Sequence, residues 1–400
     1  MAIRGVFASD QHIVGNQRGD FASALLQTHA GGSAPLFALS SGMKSSSTNG
    51  STVVNWFEEA KIIGRTAVVS GGTTTTLTVE DASSFANGGV LAVDETGEYM
   101  SIDSVAGNDI TVTRGIAGTA ITAVDNTMHV TRIGNAQPEG AVMPTAIANQ
   151  GSARINWVQI LANAWSVTGT MSATVLHTGS QIAKSKRDAS FFHSEDIEKA
   201  LIWGKMDARI GSNGQPLRYM EGIVSQIEKY GGLVEIPTDG QITQFNYRDF
   251  LRRIHQTQIK GAAQERMVFA GDVFLQNLIE AARSDASYSI DEEINEFGLD
   301  LFTFKAPGVR VKVLTHPLMV EHPVWTQEAY HIHPAAIEIR YHRRTFPEDF
   351  DRNGTRINGV DADQGVLRTE LTITNRAPVT SGIMRGVVGF KPSPTAVPVA

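Results

Sequence analysis

The run ATVLHTGSQIAKSKRDASFFHSEDIEKALIWGKMDARIG, Ala173 to Gly211, decides how the rest of the chain is read. From Lys184 onward it holds no Pro and a single internal Gly, Gly204. Phe191 or Phe192, Ile197, Ala200, Leu201, Gly204 and Ala208 recur at helical spacing on one face, while Asp188, Glu195, Glu198, Lys199 and Asp207 take the others. That pattern predicts one long amphipathic helix. Lys184 with Asp188 and Glu195 with Lys199 sit four apart, and each pair adds ~0.2–0.5 kcal/mol, so charge pairing supports the helix without deciding it. Unbroken, it would span about 55 Å, although Gly179 is placed to bend or break its first turns. A rod of that length is expected to act as a spine.

Composition bounds what surrounds the spine. The chain has 400 residues, 42% hydrophobic and 19% charged, enough for a large core and for two or three domains. With no Cys, neither disulfides nor thiolate metal sites can form, and reinforcement between copies must be non-covalent or use other chemistry. No stretch reaches the ~18 apolar residues of a membrane span, and the opening MAIRGVFASDQ lacks the apolar run of a signal peptide, so folding in the cytoplasm and no membrane partner are expected. The net charge of −7 argues against a dedicated nucleic-acid binder while leaving room for a locally basic surface.

Along the chain, residues 1–33 are weakly periodic and read as an extended arm with one short helix, Phe21 to Thr28. Lys44 to Thr52 is almost entirely Ser, Thr, Asn and Gly, and reads as a flexible loop tip between apolar segments. From Thr66 to Gly134 helix formers thin out. Short strand candidates, Leu77–Val79, Val90–Val93, Glu98–Ile102 and Ile110–Thr113, alternate with the turn signals Gly71-Gly72, Asn87-Gly88-Gly89, Thr96-Gly97 and Gly107-Asn108. This predicts a small all-β domain, 66–134, inserted between flanking segments 34–65 and 135–172. Asn156 to Val167, rich in Trp, Val, Ile and Ala, fits a strand or a helix, and a strand running into the spine is favoured, with Ser166 to Thr170 as a helix entry.

Beyond the spine, Ser212-Asn213-Gly214-Gln215-Pro216 is a break. Helices are predicted near Asn246–Lys260 and Gly271–Arg283, and strands at Met267–Ala270 and Val309–Leu314, an α/β segment. Ile337, Ile339 and Tyr341, and then Leu367, Thr369, Leu371 and Ile373, alternate with polar residues, as half-buried strands with one wet face do when packed on a helix; the spine is that helix. The tail 391–400, with three Pro, reads as loose.

Chemistry is marked mainly by missing signatures. There is no phosphate loop, no His-Glu-x-x-His and no Gly-x-Ser-x-Gly elbow, so no catalytic residue and no cofactor are assigned. Asp349, Asp351, Asn353 and Gly354 form half a calcium loop, but Val360 stands where the bidentate acid belongs, so Asn353-Gly354 and Asn358-Gly359 read as turns. His316, His322, His331, His333 and His342 could gather round a metal, and ordinary polar roles are preferred; no metal site is assigned. Basic groups such as Lys184, Lys186 and Arg187 read as solvated or intersubunit ion-pairing groups rather than nucleic-acid contacts, because no aromatic is interleaved with them. The five Trp residues, Trp56 among them, read as core or interface anchors.

Taken in order, these features resemble a known family: an arm, Pro35-Leu36-Phe37, Trp56-Phe57-Glu58-Glu59, a β insertion with Asp81, Phe85, Gly97-Glu98 and Val112-Thr113-Arg114-Gly115, then Val167-Thr168-Gly169-Thr170 and the spine ending Ile197-Glu198-Lys199-Ala200-Leu201-Ile202-Trp203-Gly204-Lys205. Their order resembles the major head (capsid) proteins of tailed bacteriophages with the Hong Kong 97 type fold, over about Ala34 to Phe390. The resemblance implies an α+β fold: a peripheral domain (173–215 and 334–390) with the spine on a β-sheet, an α/β axial domain (216–333), an extended loop (34–65 and 135–172) and the inserted β-domain as a surface module. It also implies a non-enzymatic protein of the virion that self-assembles into hexamers and pentamers around double-stranded DNA, with a portal protein and scaffolding or decoration proteins as partners. Trp56, Glu58, Glu59, Arg65, Lys184, Lys186 and Arg187 are the interface candidates. The alternative is a tail-associated or secreted glycan-binding protein that uses the β insertion.

Overall fold

In a computed structural model, the residues described are 44–48, 50–59, 64–141, 146–147, 151–175, 179–259, 265–283, 289–296, 299–306, 309–350 and 361–391. The expected arm 1–33, the tail beyond Lys391, and Asp351, Asn353 and Gly354 of the half calcium loop lie outside them. The chain divides into two compact units, Phe57–Arg154 and the remainder.

Strands β1 (Lys44–Ser47) and β2 (Val53–Glu58) precede six that make the core of the smaller unit: β3 (Arg65–Ser70), β4 (Thr76–Val79), β5 (Gly89–Val93), β6 (Tyr99–Ala106), β7 (Asp109–Thr113) and β8 (His129–Asn135). They close into a barrel in the order β3-β4-β7-β6-β5-β8. Leu77, Leu91, Met100, Ile110 and Val130 alternate inward and fill it, as the two-residue period of a strand requires. Gly97 and Gly107 turn the chain between β5 and β6 and between β6 and β7 at φ of 72° and 63°, a region in which a Cβ is strained. The closing strands β3 and β8, with Thr66 opposite Val130, are not among the strands the turn signals predict.

After β8 come β9 (Ser152–Trp157), which pairs with β2, then β10 (Gln159–Thr168), α1 (Gly169–Ala173) and the spine α2 (Gln181–Trp203). The hairpin β11 (Asp207–Ile210) and β12 (Pro216–Tyr219) follows, then α3 (Ile223–Lys229), β13 (Leu233–Glu235), β14 (Gln241–Ile242), α4 (Gln244–Gln256), β15 (Arg266–Ala270) and α5 (Asp272–Arg283). The chain continues through β16 (Ser289–Glu296), β17 (Leu299–Ala306), β18 (Val309–Thr315), α6 (Pro317–Val320), β19 (Ala329–Ile332), β20 (Ile337–Phe350), β21 (Ala362–Asn375), β22 (Gly382–Met384) and β23 (Gly389–Phe390). One sheet has the order β1-β20-β21-β10 and the other β13-β22-β19-β15-β18-β17-β16. Helices and both parallel and antiparallel strands make this an α+β fold, the class the resemblance implied.

The spine is shorter than its periodicity suggests. It starts at Gln181, where the Ser180 side chain accepts from Ala183 N, after Gly179 at φ 92°. It stops at Gly204, whose missing Cβ would sit 2.4 Å from Ala200 O and 2.7 Å from Met220 O. Its 23 residues span about 35 Å, not 55 Å, and Asp207 to Ile210, expected on the helix, form a strand. The break at Ser212–Pro216 is the turn of that hairpin, with Gly214 at φ 75°.

The face assignment also changes. Ile197, Leu201 and Ile202 are buried against Ile339, Leu371 and Ile373 of the four-stranded sheet and against Ile223, Tyr330 and Ile332, so one core ties the spine to both sheets. Glu198, expected on a polar face, is fully buried, and Phe192 is 53% exposed.

Two further expectations give way to long-range pairing. Lys44–Ser47, read as a flexible tip, adds in parallel to β20, because backbone bonding needs no apolar side chains once a partner edge exists; Ser46 Oγ donates to Glu338 Oε1 at 2.6 Å and Thr48 N to Tyr341 O at 3.1 Å. The one-wet-face reading of the last strands fails in β21, where Thr369 to Asn375 are all buried. Arg340 stands opposite Thr372, and Arg343 opposite Glu370, with which it forms an ion pair. Sheet membership likewise crosses the expected segment limits: β1 and β10 join the four-stranded sheet, and β22 the seven-stranded one.

Candidate functional site

Among the described residues no three His, Cys, Asp or Glu side chains gather as a metal site, and the five histidines serve separate local roles. His316 Nδ1 accepts from Leu318 N at 3.2 Å, which leaves Nε2 to donate to Glu198 Oε1 at 2.8 Å. His333 caps Ala335 N and His322 caps Val324 N. His342 Nδ1 meets Thr48 Oγ1 at 2.8 Å, and His331 Nε2 meets Tyr247 Oη at 3.1 Å. Burial, helped by the charge of His255, pushes His331 down to about 3; burial and Arg266 push His333 down to about 4.

What the larger unit does build is a polar seam along the spine. His193 bridges Asn163 Oδ1 and Thr369 Oγ1, each at 2.7 Å, joining α2 to β10 and β21, and burial lowers its proton affinity despite Asp196 nearby. The Glu198–His316 pair, fully buried, joins α2 to the start of α6. At the end of α2, Trp203 stacks on Trp325 at 3.9 Å and donates to Tyr330 Oη at 2.9 Å, while Tyr330 donates to Glu328. Asn156 adds a crosslink: its Nδ2 donates to Glu221 O and Ile373 O, and its Oδ1 accepts from Glu221 N. Each buried polar group removed from water costs free energy unless paired, so seams of this kind hold one relative arrangement of layers. Sequence reading missed Asn156, His193 and Glu198, since no local signal marks a polar residue whose partner is over a hundred positions away; only the helical period, which puts His193 one turn before Ile197, pointed at its face.

The predicted interface residues fall in different settings. Trp56 is buried on β2. Glu58 pairs with Arg154 at 3.4 Å, and Glu59 is exposed. Arg65 Nε donates to Asp94 at 2.6 Å on the barrel surface, where Thr131 Oγ1 also bonds Asp94. On the spine, Lys186 pairs with Asp349 at 2.6 Å and lies 4.8 Å over the Trp165 ring; Lys184 is half-buried and Arg187 exposed. Glu195 and Lys199 form the i,i+4 pair the spacing predicts, at 2.5 Å.

Uncovered apolar groups accompany these charges. Ile210 at the hairpin tip is 80% exposed, and Ile236, Phe245 and Val388 stand out from the seven-stranded side of the larger unit.

Comparison with known proteins gives these surfaces their context. The family described as SU10 major capsid protein matches residues 16–388. A major capsid protein of Pseudomonas phage PaMx41 is 27% identical over 388 residues, 92% of either chain. Among solved structures, one of Mycobacterium phage Cain aligns with TM-score 0.49 at 10% identity, over 98% of this chain and 100% of that one; the capsid of Myoviridae phage XM1 aligns with TM-score 0.47 at 8% identity, over 96% and 99%. The reading as a tail-associated or secreted glycan-binding protein receives no support from these matches. The match across both compact units shows that the chain belongs to the SU10 major capsid protein family and is a subunit of a phage capsid shell.

Proposed function

We propose that the chain assembles into hexamers and pentamers of an icosahedral head that encloses double-stranded DNA, touching it without sequence preference. A portal protein is the proposed partner at one vertex, with scaffolding or decoration proteins as further partners, and assembly takes place in the cytoplasm of the host bacterium. The observation that carries the reading is the family match over residues 16–388. Within it, the spine with β20 and β21 is assigned to a peripheral domain, the seven-stranded sheet to an axial domain near the capsomer centre, and the barrel to a surface module. The role is structural and non-enzymatic, and the seam along α2 supports it by keeping the two sheets of each subunit in register while their outer surfaces meet neighbours.

Closed shells require one surface to meet its neighbours at several angles, so contacts are expected to be many, modest and partly electrostatic. Glu58 and Glu59 on one side and Lys184, Lys186 and Arg187 on the other are the proposed intersubunit or loop-to-spine ion-pairing groups, with Arg65 a further candidate. Electron microscopy of the purified protein should show shells, or particles of hexamer and pentamer size; a persistent monomer that turns over a substrate would refute the reading. A double-mutant cycle of Glu59→Gln with Arg187→Gln on assembly yield should show coupling, and strict additivity would remove that pair from the interface.

A further inference from the structure

We infer that the seven-stranded sheet joins neighbouring copies of this chain head to tail: its acidic last strand, β16, meets the arginine face of α4 on the next copy round the capsomer. The inference rests on the capsid reading and deepens it by naming two surfaces that meet.

β16 ends its sheet, with β17 as its one neighbouring strand among the described residues. Its sequence, SIDEEINE, places Asp291, Glu292, Glu293 and Glu296 within eight residues and holds no Lys, Arg or His. Its register with β17 shifts between Glu293 and Glu296. Charge and a broken register are the means by which a sheet edge is kept from adding a further strand. They also keep two copies of β16 apart, because like charges set opposite one another repel. The contact this edge favours is therefore with cations on a different surface.

Such a surface is reached from the far end of the same sheet. β13 is the strand at that end, about 29 Å from β16 at ~4.8 Å per strand. From β13 the chain passes through β14 into α4, where Phe245, Arg248 and Arg252 recur at helical spacing and are all exposed. Asp249 is shared by Arg252 and Arg253, and no described group pairs with Arg248, so the stripe is left cationic. Phe245, 65% exposed, sets an apolar anchor beside that charge, and aromatic and arginine side chains carry much of the energy of protein contacts. Two complementary surfaces placed toward opposite ends of one sheet do not satisfy each other within a chain, but copies related by rotation can join them. Contact between two different surfaces, repeated head to tail, closes into a ring, which is the form that hexamers and pentamers take.

Charge reversal in the full chain tests this, read by particle yield in electron microscopy and by the melting temperature of dissociated subunits. Arg248→Glu with Arg252→Glu, or Glu292→Arg with Glu293→Arg, should lower the yield at least about tenfold by setting like charges together. Reversing both sides in one chain should bring it back to within about twofold. Mixed in equal amounts, the two one-sided variants should alternate round a ring. An even-numbered ring allows this and a five-membered one does not, so hexamers should form without pentamers. One-sided variants that assemble as the unaltered chain does overturn the inference and leave the capsid reading intact. So do folded variants that the combined reversal does not rescue, and so do pentamers in the mixture at their ordinary frequency. Should a reversal unfold the subunit, Arg248→Gln and Glu292→Gln carry the same cycle, and strict additivity overturns the inference. An unaltered chain that never forms particles overturns both.

Discussion

The barrel of the smaller unit and the four-stranded sheet of the larger one solve the same problem, the free edge of a β-sheet, in opposite ways. The barrel closes on itself with strands drawn from about 70 consecutive residues, buries a core contributed by that segment alone, loop residues Ala82, Phe85 and Val124 included, and keeps a buried Arg114–Glu98 pair, at 2.6 Å. The sheet gathers strands that begin at Lys44 and end at Asn375, leans on the spine for one face, and ends at β10 with no further strand beside it among the described residues. A closed element is complete within its own chain segment, whereas an open one is complete only with other parts of the molecule or other copies of it.

If the barrel is self-contained, damage inside it should stay inside it. Arg114 bonds both oxygens of Glu98 and the carbonyls of Gly72 and Thr122, so Arg114→Met leaves a buried carboxylate without its cation. The expected loss is about 3–5 kcal/mol of barrel stability. Limited proteolysis should then cut between Arg65 and Asn135 while the larger unit stays resistant; cooperative unfolding of both would erase the distinction. Leu201→Ala, in the core that ties the spine to both sheets, should cost about 2–5 kcal/mol and melt the larger unit first, read by thermal denaturation of dissociated subunits.

Acid separates the two regions as well. His331 and His333 bind protons in the unfolded chain from about pH 6.5 downward but in the fold only at about 3 and 4. Between these limits the unfolded state holds more protons, so stability of the larger unit falls as pH is lowered, on the order of 3 kcal/mol for each histidine by pH 4 at about 1.4 kcal/mol per unit.

The barrel answers differently to the same change. Burial works to raise the Glu98 pKa, but hydrogen bonds from Arg114 and Thr122 and the Arg114 charge outweigh it and hold it below the usual carboxylate range. Its contribution is present above the ordinary glutamate pKa and is lost only as pH drops through the lowered one. Denaturant titrations at pH 7, 5.5 and 4.5 should therefore weaken the larger unit first, and His331→Phe should flatten that slope. The smallest effect is expected at Lys186→Met, which removes a half-exposed pair with Asp349: less than about 1 kcal/mol on subunit stability. A larger shift on assembly yield than on the melting temperature would place this pair at a contact between copies.

Much of the architecture was legible because local physics repeats along the chain. Asn87-Gly88-Gly89, Thr96-Gly97 and Gly107-Asn108 punctuate the barrel strands where backbone conformation demands it. The helical spacing of Phe250, Leu251 and Ile254 marked α4, and all three face the core. Alternation marked β20 and β21. The interface candidates were legible only as charge and aromatic types, since nothing along the sequence tells an ion pair within one chain, such as Arg65–Asp94, from one between chains.

The sequence by itself determined the elements: where turns fall, which segments alternate, which run has a helical period, and that no redox chemistry of cysteine can reinforce the whole. The tertiary structure alone decided that the spine ends at Gly204 under Met220, that Glu198 goes inside to meet His316, that Lys44–Ser47 becomes a strand, and that β3 and β8 close the barrel. The physical reason is range. Propensity and periodicity act over a few residues, but closing a sheet or pairing a buried charge needs a partner brought in from far along the chain, and that partner exists only once the layers have packed.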